Sequence, residues 1–133
     1  MEIRAYQKYN EEEILNLYAS MGWTAYTDDP ASLKAGFQSS LLILAAYEGG
    51  RLSGLIRAVG DGQTIVYIQD ILVLPECQRR GMGTAIVQAV LERFQDVSQF
   101  LLATDDTPKT IAFYESLGFV QLTKLGCCGM MKD

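Results

Sequence analysis

Residues 70–87 read DILVLPECQRRGMGTAIV, and this stretch decides the fold. Ile71, Leu72, Val73 and Leu74 form a short apolar run, the end of a buried strand. Pro75 stops it, because proline has no N–H to give the ladder. Gln78, Arg79, Arg80, Gly81, Met82 and Gly83 follow, then an amphipathic run from Thr84. The pattern is strand, glycine-bearing loop, helix. A helix start offers several unpaired backbone N–H groups, and the helix dipole favours negative charge there. Glycines let the backbone approach an anion with no Cβ in the way. Two arginines add positive charge at the rim. The site suits a phosphate or pyrophosphate. A P-loop fits badly, because Gly83 is followed by threonine with no lysine; a dinucleotide fingerprint would need a third glycine where Ile86 stands.

Working outward, 133 residues suit a single domain over residues 1–133 with room for a real core. Hydrophobic residues make up 49% and charged residues 20%, ordinary for a globular protein. No apolar run approaches a membrane span, and the N-terminal MEIRAYQKYNEEE is charged and lacks a signal-peptide core, so a cytoplasmic protein with no membrane partner is expected. Net charge is −5, and lysines and arginines are scattered apart from Arg79 and Arg80, so a nucleic-acid partner is not expected. There is no histidine, and the three cysteines are an odd count with Cys127 and Cys128 adjacent. No zinc-ligand spacing exists, no metal is expected, and the thiols read as reduced and partly buried.

Taken in order, residues 3–6 alternate as a first or edge strand. Asn10 with Glu13 is a capping-box variant, heading a helix whose Ile14, Leu15, Leu17, Tyr18 and Met21 share one stripe and which Gly22 ends. Trp23, Tyr26, Asp28 and Asp29 sit in a loop. Pro30 opens a second helix to about residue 39, capped by Asp29. Residues 41–47, 52–59 and 64–74 read as three antiparallel strands, joined by Glu48-Gly49-Gly50-Arg51 and by Asp61-Gly62. A long helix over 84–94 crosses to a short strand at 100–103, parallel to the preceding one. Pro108 opens a last helix, with Thr107 or Asp106 as cap; Ile111, Phe113, Tyr114 and Leu117 are its apolar side and Gly118 its end. Residues 120–122 and 128–131 are apolar enough for a closing hairpin. The order βααβββαβαββ is α+β, three layers about a mixed, mostly antiparallel sheet flanked by helices.

Gln78, Gly81 and Gly83, with Val73 and Pro75 leading in, match a Gln/Arg-x-x-Gly-x-Gly pattern that resembles the coenzyme A loop of the GNAT (Gcn5-related N-acetyltransferase) family. Phe113-Tyr114-x-x-x-Gly118-Phe119 resembles the helix and following strand that close that family's cofactor site. The two stretches stand in the expected order, and the resemblance covers most of the chain, clearly residues 41–119. The first forty residues carry no further pattern.

The resemblance implies direct transfer of an acetyl group from acetyl-coenzyme A to a primary amine of a small molecule or peptide. It implies a central parallel strand pair that splays, the pantetheine arm lying in the gap along Ile71, Leu72 and Val73. An unpaired strand edge must find partners, and a linear amide chain supplies them. Gln78 and the backbone from Arg79 through Arg80, Gly81, Met82 and Gly83 to Thr84 would hold the pyrophosphate. Tyr114 stands where the family often places a general acid for the departing thiolate. Thr107, taken by the resemblance as a cofactor-binding position, stands where many relatives carry asparagine, and it can still cap a helix. Leu102 stands where many relatives carry a glutamate, so a base must come from elsewhere. Asp70, near the splay, is the candidate; burial would raise its pKa. A structural aspartate at a bulge and a water-mediated route stand beside it. Trp23, Tyr26 and Asp28 offer an aromatic and acidic wall to a cationic acceptor, or pack as loop residues and caps. A homodimer is compatible with the family. Two rivals remain at this point, a coenzyme A-binding module without turnover and an unrelated nucleotide-phosphate binder.

Overall fold

A computed structural model describes residues 1–133, which divide into two compact units, 1–101 and 102–133. The first holds a sheet in the order β1-β2-β3-β4-β5: β1 (Glu2–Ala5), β2 (Leu42–Glu48), β3 (Arg51–Gly60), β4 (Ile65–Val73) and β5 (Gln99–Leu102), whose last residue opens the second unit. The first four strands are antiparallel neighbours. β5 is the parallel neighbour of β4, and backbone bonds from Ser98 N to Gln63 O (3.3 Å) and from Gln99 N to Thr64 O (3.0 Å) join its start to the start of β4. The architecture is α+β with a mixed sheet, as the sequence predicts.

Helices α1 (Glu11–Ser20), α2 (Thr24–Thr27) and α3 (Pro30–Gln38) lie on one face, and α4 (Met82–Arg93) on the other. The core follows the helical stripes: Ile14, Leu17 and Tyr18 of α1, Leu33 and Phe37 of α3, and Ile86, Val87 and Val90 of α4 close on Leu44, Ala45, Leu55, Ile56 and Leu72. Gly54 sets the distance between β3 and α4. A Cβ there would lie 2.8 Å from Met82 Sδ and 3.2 Å from Leu72 O, so a side chain would have to displace the Met82 thioether and crowd the β4 backbone.

The local signals act as the sequence implies, with instructive exceptions. Asn10 Oδ1 accepts from Glu13 N, but the return half of the capping box is replaced. Glu13 accepts from the Tyr6 hydroxyl (2.7 Å), and that hydroxyl accepts from Asn10 N (3.1 Å). Gly49 and Gly50, both at positive φ, make the β2–β3 turn, and the Asp61 carboxylate accepts from Gln63 N, Thr64 N and Ile65 N at the next. The Thr64 hydroxyl and those backbone bonds favour its charged form and hold Asp61 well below the usual carboxylate range. Three expectations are corrected. The residue 22–30 loop contains a one-turn helix, α2. Helix α4 starts at Met82 rather than Thr84, so Gly83 lies inside its first turn. The closing hairpin is absent: residues 122–125 form a 3-10 turn ended by Gly126 at φ +78°, and 127–133 form no strand. Apolar composition makes a strand only beside a pairing partner, and Gly126 and Gly129 flanking the cysteine pair weaken it further.

The second unit contains α5 (Pro108–Ser116), capped by Thr107, whose Oγ1 accepts from Thr110 N (3.3 Å), and ended by Gly118 at φ +94°. No helix is long and apolar enough to cross a membrane.

Candidate active site

The loop after β4 is built to leave amides free. Pro75–Cys77 turns as a 3-10 helix, and Cys77 N and Gln78 N donate to Leu74 O and Pro75 O. Beyond them, none of the six backbone N–H groups of Arg79, Arg80, Gly81, Met82, Gly83 and Thr84 donates within the protein; the next bond is Ala85 N to Gly81 O (3.0 Å). Arg79 (φ +64°) and Gly81 (φ +84°) both take left-handed backbone. A non-glycine residue there costs about 1–2 kcal/mol, a strain that clusters at ligand clamps. A Cβ on Gly81 would meet nothing within 4 Å, so its face is open. Gln78 fixes the loop to the strand, its Nε2 donating to Val73 O (3.0 Å). The arginines divide their work. Arg80 folds back on Glu76 O (2.7 Å) and Glu48 (3.4 Å), bracing the loop, whereas Arg79 is an exposed cation with no ion pair. Six unpaired donors, one unpaired cation and a helix N-terminus fit a diphosphate.

One strand length upstream the sheet carries a bulge. Arg57 pairs with Asp70 and Ala58 with Ile68, which leaves Gln69 without a partner on β3. One extra residue swaps the faces. Val66 and Ile68 share the face of Ala58, while Asp70 and Leu72 share the opposite face with Arg57 and Leu55, toward α1–α3. Asp70 is 2% exposed. Its Oδ2 accepts from Arg57 Nε (2.7 Å) and the Tyr18 hydroxyl (2.8 Å), and its Oδ1 from the Tyr26 hydroxyl (2.8 Å). Burial works to lower the Arg57 pKa, and the Asp70 charge beside it more than offsets that. Burial, then the Asp70 charge, push the Tyr18 phenol far above its ordinary value; burial likewise raises Tyr26.

These contacts bear on the expectation for Asp70. The sequence offers it as a base; the structure gives it a buried ion pair and two phenol donors, which occupy both carboxylate oxygens. Asp70 stands beside the bulge, where the sequence also allowed a structural aspartate. Sequence reasoning missed its partners Arg57 and Tyr18, although a signal existed. A single arginine within LSGLIRAV and a single aspartate within YIQDILVL, each alone in an apolar strand, imply that the two strands bury them together.

Trp23 and Tyr26 cluster with Tyr18, ring centroids 5.2–6.1 Å apart. Tyr26 also accepts from Gln69 Nε2 (3.2 Å). Asp28 stands apart, its backbone closing the C-terminus of α2. A separate hollow of about 430 Å³ lies between α1, the β2–β3 turn and Pro75–Glu76, and none of the residues singled out from the sequence as site residues lines it.

In the second unit, Tyr114 is buried on α5 with its ring edge-on to Phe113 (4.9 Å) and Phe119 (5.9 Å). Burial raises its phenol pKa, a hydrogen bond with Thr104 acts against that, and the Asp105 charge adds to it, so it stays a protonated donor at neutral pH. Cys77 is buried and Cys127 and Cys128 are exposed, all as free thiols.

Residues 6–119 match the Acetyltransferase (GNAT) family. A GNAT family acetyltransferase from Streptococcus pneumoniae is 37% identical, with a TM-score of 0.90 over 99% of this chain and 96% of that one. GCN5-related N-acetyltransferase 1, chloroplastic, of Arabidopsis thaliana is 29% identical over 88% of this chain; the match spans 59% of that relative's length. An N-acetyltransferase from Thermoplasma acidophilum, solved in complex with coenzyme A, shares the fold at 16% identity (TM-score 0.70, 90% of this chain and 89% of that one). Loop, sheet order and these likenesses agree, and the chain belongs to the GNAT acetyltransferase family.

Proposed function

We propose that this protein is an N-acetyltransferase that moves an acetyl group directly from acetyl-coenzyme A to a primary amine of a small molecule or peptide. The observation that carries the reading is the run of six backbone N–H groups from Arg79 to Thr84 with no acceptor in the protein, at the start of α4. Bound acetyl-coenzyme A supplies an activated thioester. The amides of residues 79–84 and the Arg79 guanidinium hold its diphosphate, and Gln78 keeps the loop on the end of β4. Backbone groups of Ile71, Leu72 and Val73 meet its amide-bearing arm. The Trp23 and Tyr26 rings line the acceptor side, with Asp28 at the end of the same short helix. The amine nitrogen forms the new bond to the acetyl carbon as the carbon–sulfur bond breaks. Its surplus proton passes to water, because the Asp70 oxygens are committed to Arg57, Tyr18 and Tyr26. The Tyr114 hydroxyl, kept protonated by burial, protonates the departing sulfur and recovers its proton from solvent. Thr107 caps the helix that carries Tyr114. The family match runs through both units, which supports reading residues 1–133 as one catalytic domain.

The test is thiol release from acetyl-coenzyme A against a panel of alkylamines, aromatic amines and peptides with free N-termini. Amine-dependent release with a matching acetylated product supports the reading. Tight coenzyme A binding with no release for any amine would replace it with a binding module; ATP displacing coenzyme A at equal concentration would remove both.

A further inference from the structure

We propose that the bulge in β4 sets acceptor specificity through Tyr26: Asp70 and Gln69 are positioning residues that clamp its hydroxyl and so hold α2 in place. The inference rests on the acyl-transfer reading above. Helix α2 has four residues and buries none of them, so its own packing does not fix it. Its side-chain bonds to the sheet run through one atom, the Tyr26 hydroxyl. That oxygen donates to Asp70 Oδ1 (2.8 Å) and accepts from Gln69 Nε2 (3.2 Å). Gln69 and Asp70 are consecutive residues, and only the bulge brings both to the same phenol. Asp70 is in turn immobilised by Arg57 and Tyr18 in the core. Arg57 also donates to Ser40 Oγ just beyond α3 (3.4 Å), and its Nη1 lies so near Gly36 that a Cβ there would come within 3.2 Å. One buried ion pair thus ties α1, the end of α3 and, by way of Tyr26, α2 to the central strand. The Tyr26 and Trp23 rings, half-exposed and tilted at 43° to one another, move with α2, so the clamp fixes the width of the wall they form. In this reading Asp70 acts on the acceptor only through the Tyr26 hydroxyl.

Two variants test this, Tyr26→Phe, which keeps the ring and removes the hydroxyl, and Gln69→Ala, which removes one donor from it. Hydrogen exchange is read at the amides of Thr27 and Asp28, which donate to Trp23 and Thr24, in the full-length protein without substrate. Tyr26→Phe should speed exchange there about tenfold, the size of one hydrogen bond to a charged group, while α1, α4 and the sheet keep wild-type rates. Gln69→Ala should give a smaller rise in the same direction. In steady-state assays with butylamine, benzylamine and trialanine, Tyr26→Phe should raise the acceptor KM about tenfold for the best of the three and narrow the difference among them. The dissociation constant of coenzyme A should stay within twofold. Unchanged exchange at Thr27 and Asp28 overturns the clamp whatever the activity. Faster exchange with unchanged acceptor KM values overturns its role in specificity. A wild-type protein inactive on every amine refutes the acyl-transfer reading and specificity with it, and the exchange arm still decides whether Tyr26 tethers α2.

Discussion

Replacing Asp70 by asparagine keeps the side chain's shape and removes its charge, and the consequences follow from its partners. The asparagine would retain one carbonyl oxygen for Arg57 and Tyr18, but the Arg57 cation, its side chain 8% exposed, would lose its counter-charge. Breaking a buried pair by removing one partner costs about 3–5 kcal/mol, because the other charge stays buried and uncompensated. For a chain of this length each kcal/mol lowers the melting temperature by about 3–5 °C, so Asp70→Asn should melt about 10–25 °C below wild type. The loss comes from the orphaned charge and not from the pair being strong. Removing the whole cluster as Arg57→Met, Asp70→Leu and Tyr18→Phe together should therefore recover most of it. Urea unfolding followed by circular dichroism measures both. Activity supplies a second arm. If Asp70 is structural and water takes the amine proton, Asp70→Asn should lower kcat/KM by the same factor for strongly and weakly basic amines, giving parallel plots against acceptor pKa. A destabilisation under about 1 kcal/mol would refute the buried-pair argument. A loss confined to amines of high pKa would restore Asp70 as the base.

Three further outcomes are expected. Gly83→Val places a branched side chain among the free amides of the first turn of α4, where valine is about as tolerable as glycine, so coenzyme A affinity by calorimetry should fall at least about tenfold while stability changes by less than about 1 kcal/mol. Tyr114→Phe should lower kcat roughly 10²-fold with little change in cofactor affinity, as loss of a general acid does, and an unchanged kcat where chemistry limits the rate would assign the ring to packing. The Tyr18 pKa is raised by folding, so its contribution is intact below the unfolded phenol pKa near 10 and is lost as pH rises beyond it; denaturation should show stability falling by about 1.4 kcal/mol per pH unit above that point, with Tyr18→Phe removing that share of the slope.

What the sequence made legible was local. Pro75, Gly81, Asn10, Asp29 and Thr107 act within a few residues of themselves, and each does locally what its chemistry dictates. The loop after β4 was readable for the same reason: its feature is a contiguous run of amides without partners in the protein. Asp70 was not, because its role depends on pairing between β3 and β4, on a one-residue bulge that turns it from the α4 face to the α1–α3 face, and on Tyr18, 52 positions away. Periodicity assigned an aspartate to a strand and could not say which face, since Asp70 falls in step with Ile68 and Val66 until the bulge breaks the alternation. The closing hairpin failed from the opposite direction. Residues 120–131 have strand composition, yet no local feature supplies an edge to pair with.

The most direct test of the central claim is a titration of the ¹⁵N-labelled protein with coenzyme A, following backbone amide resonances. The account predicts that the amides of Arg79, Arg80, Gly81, Met82, Gly83 and Thr84, which lack acceptors in the protein, shift together and saturably, and that their hydrogen exchange slows as they gain an acceptor. Saturable shifts centred elsewhere, or none at millimolar coenzyme A, would contradict it.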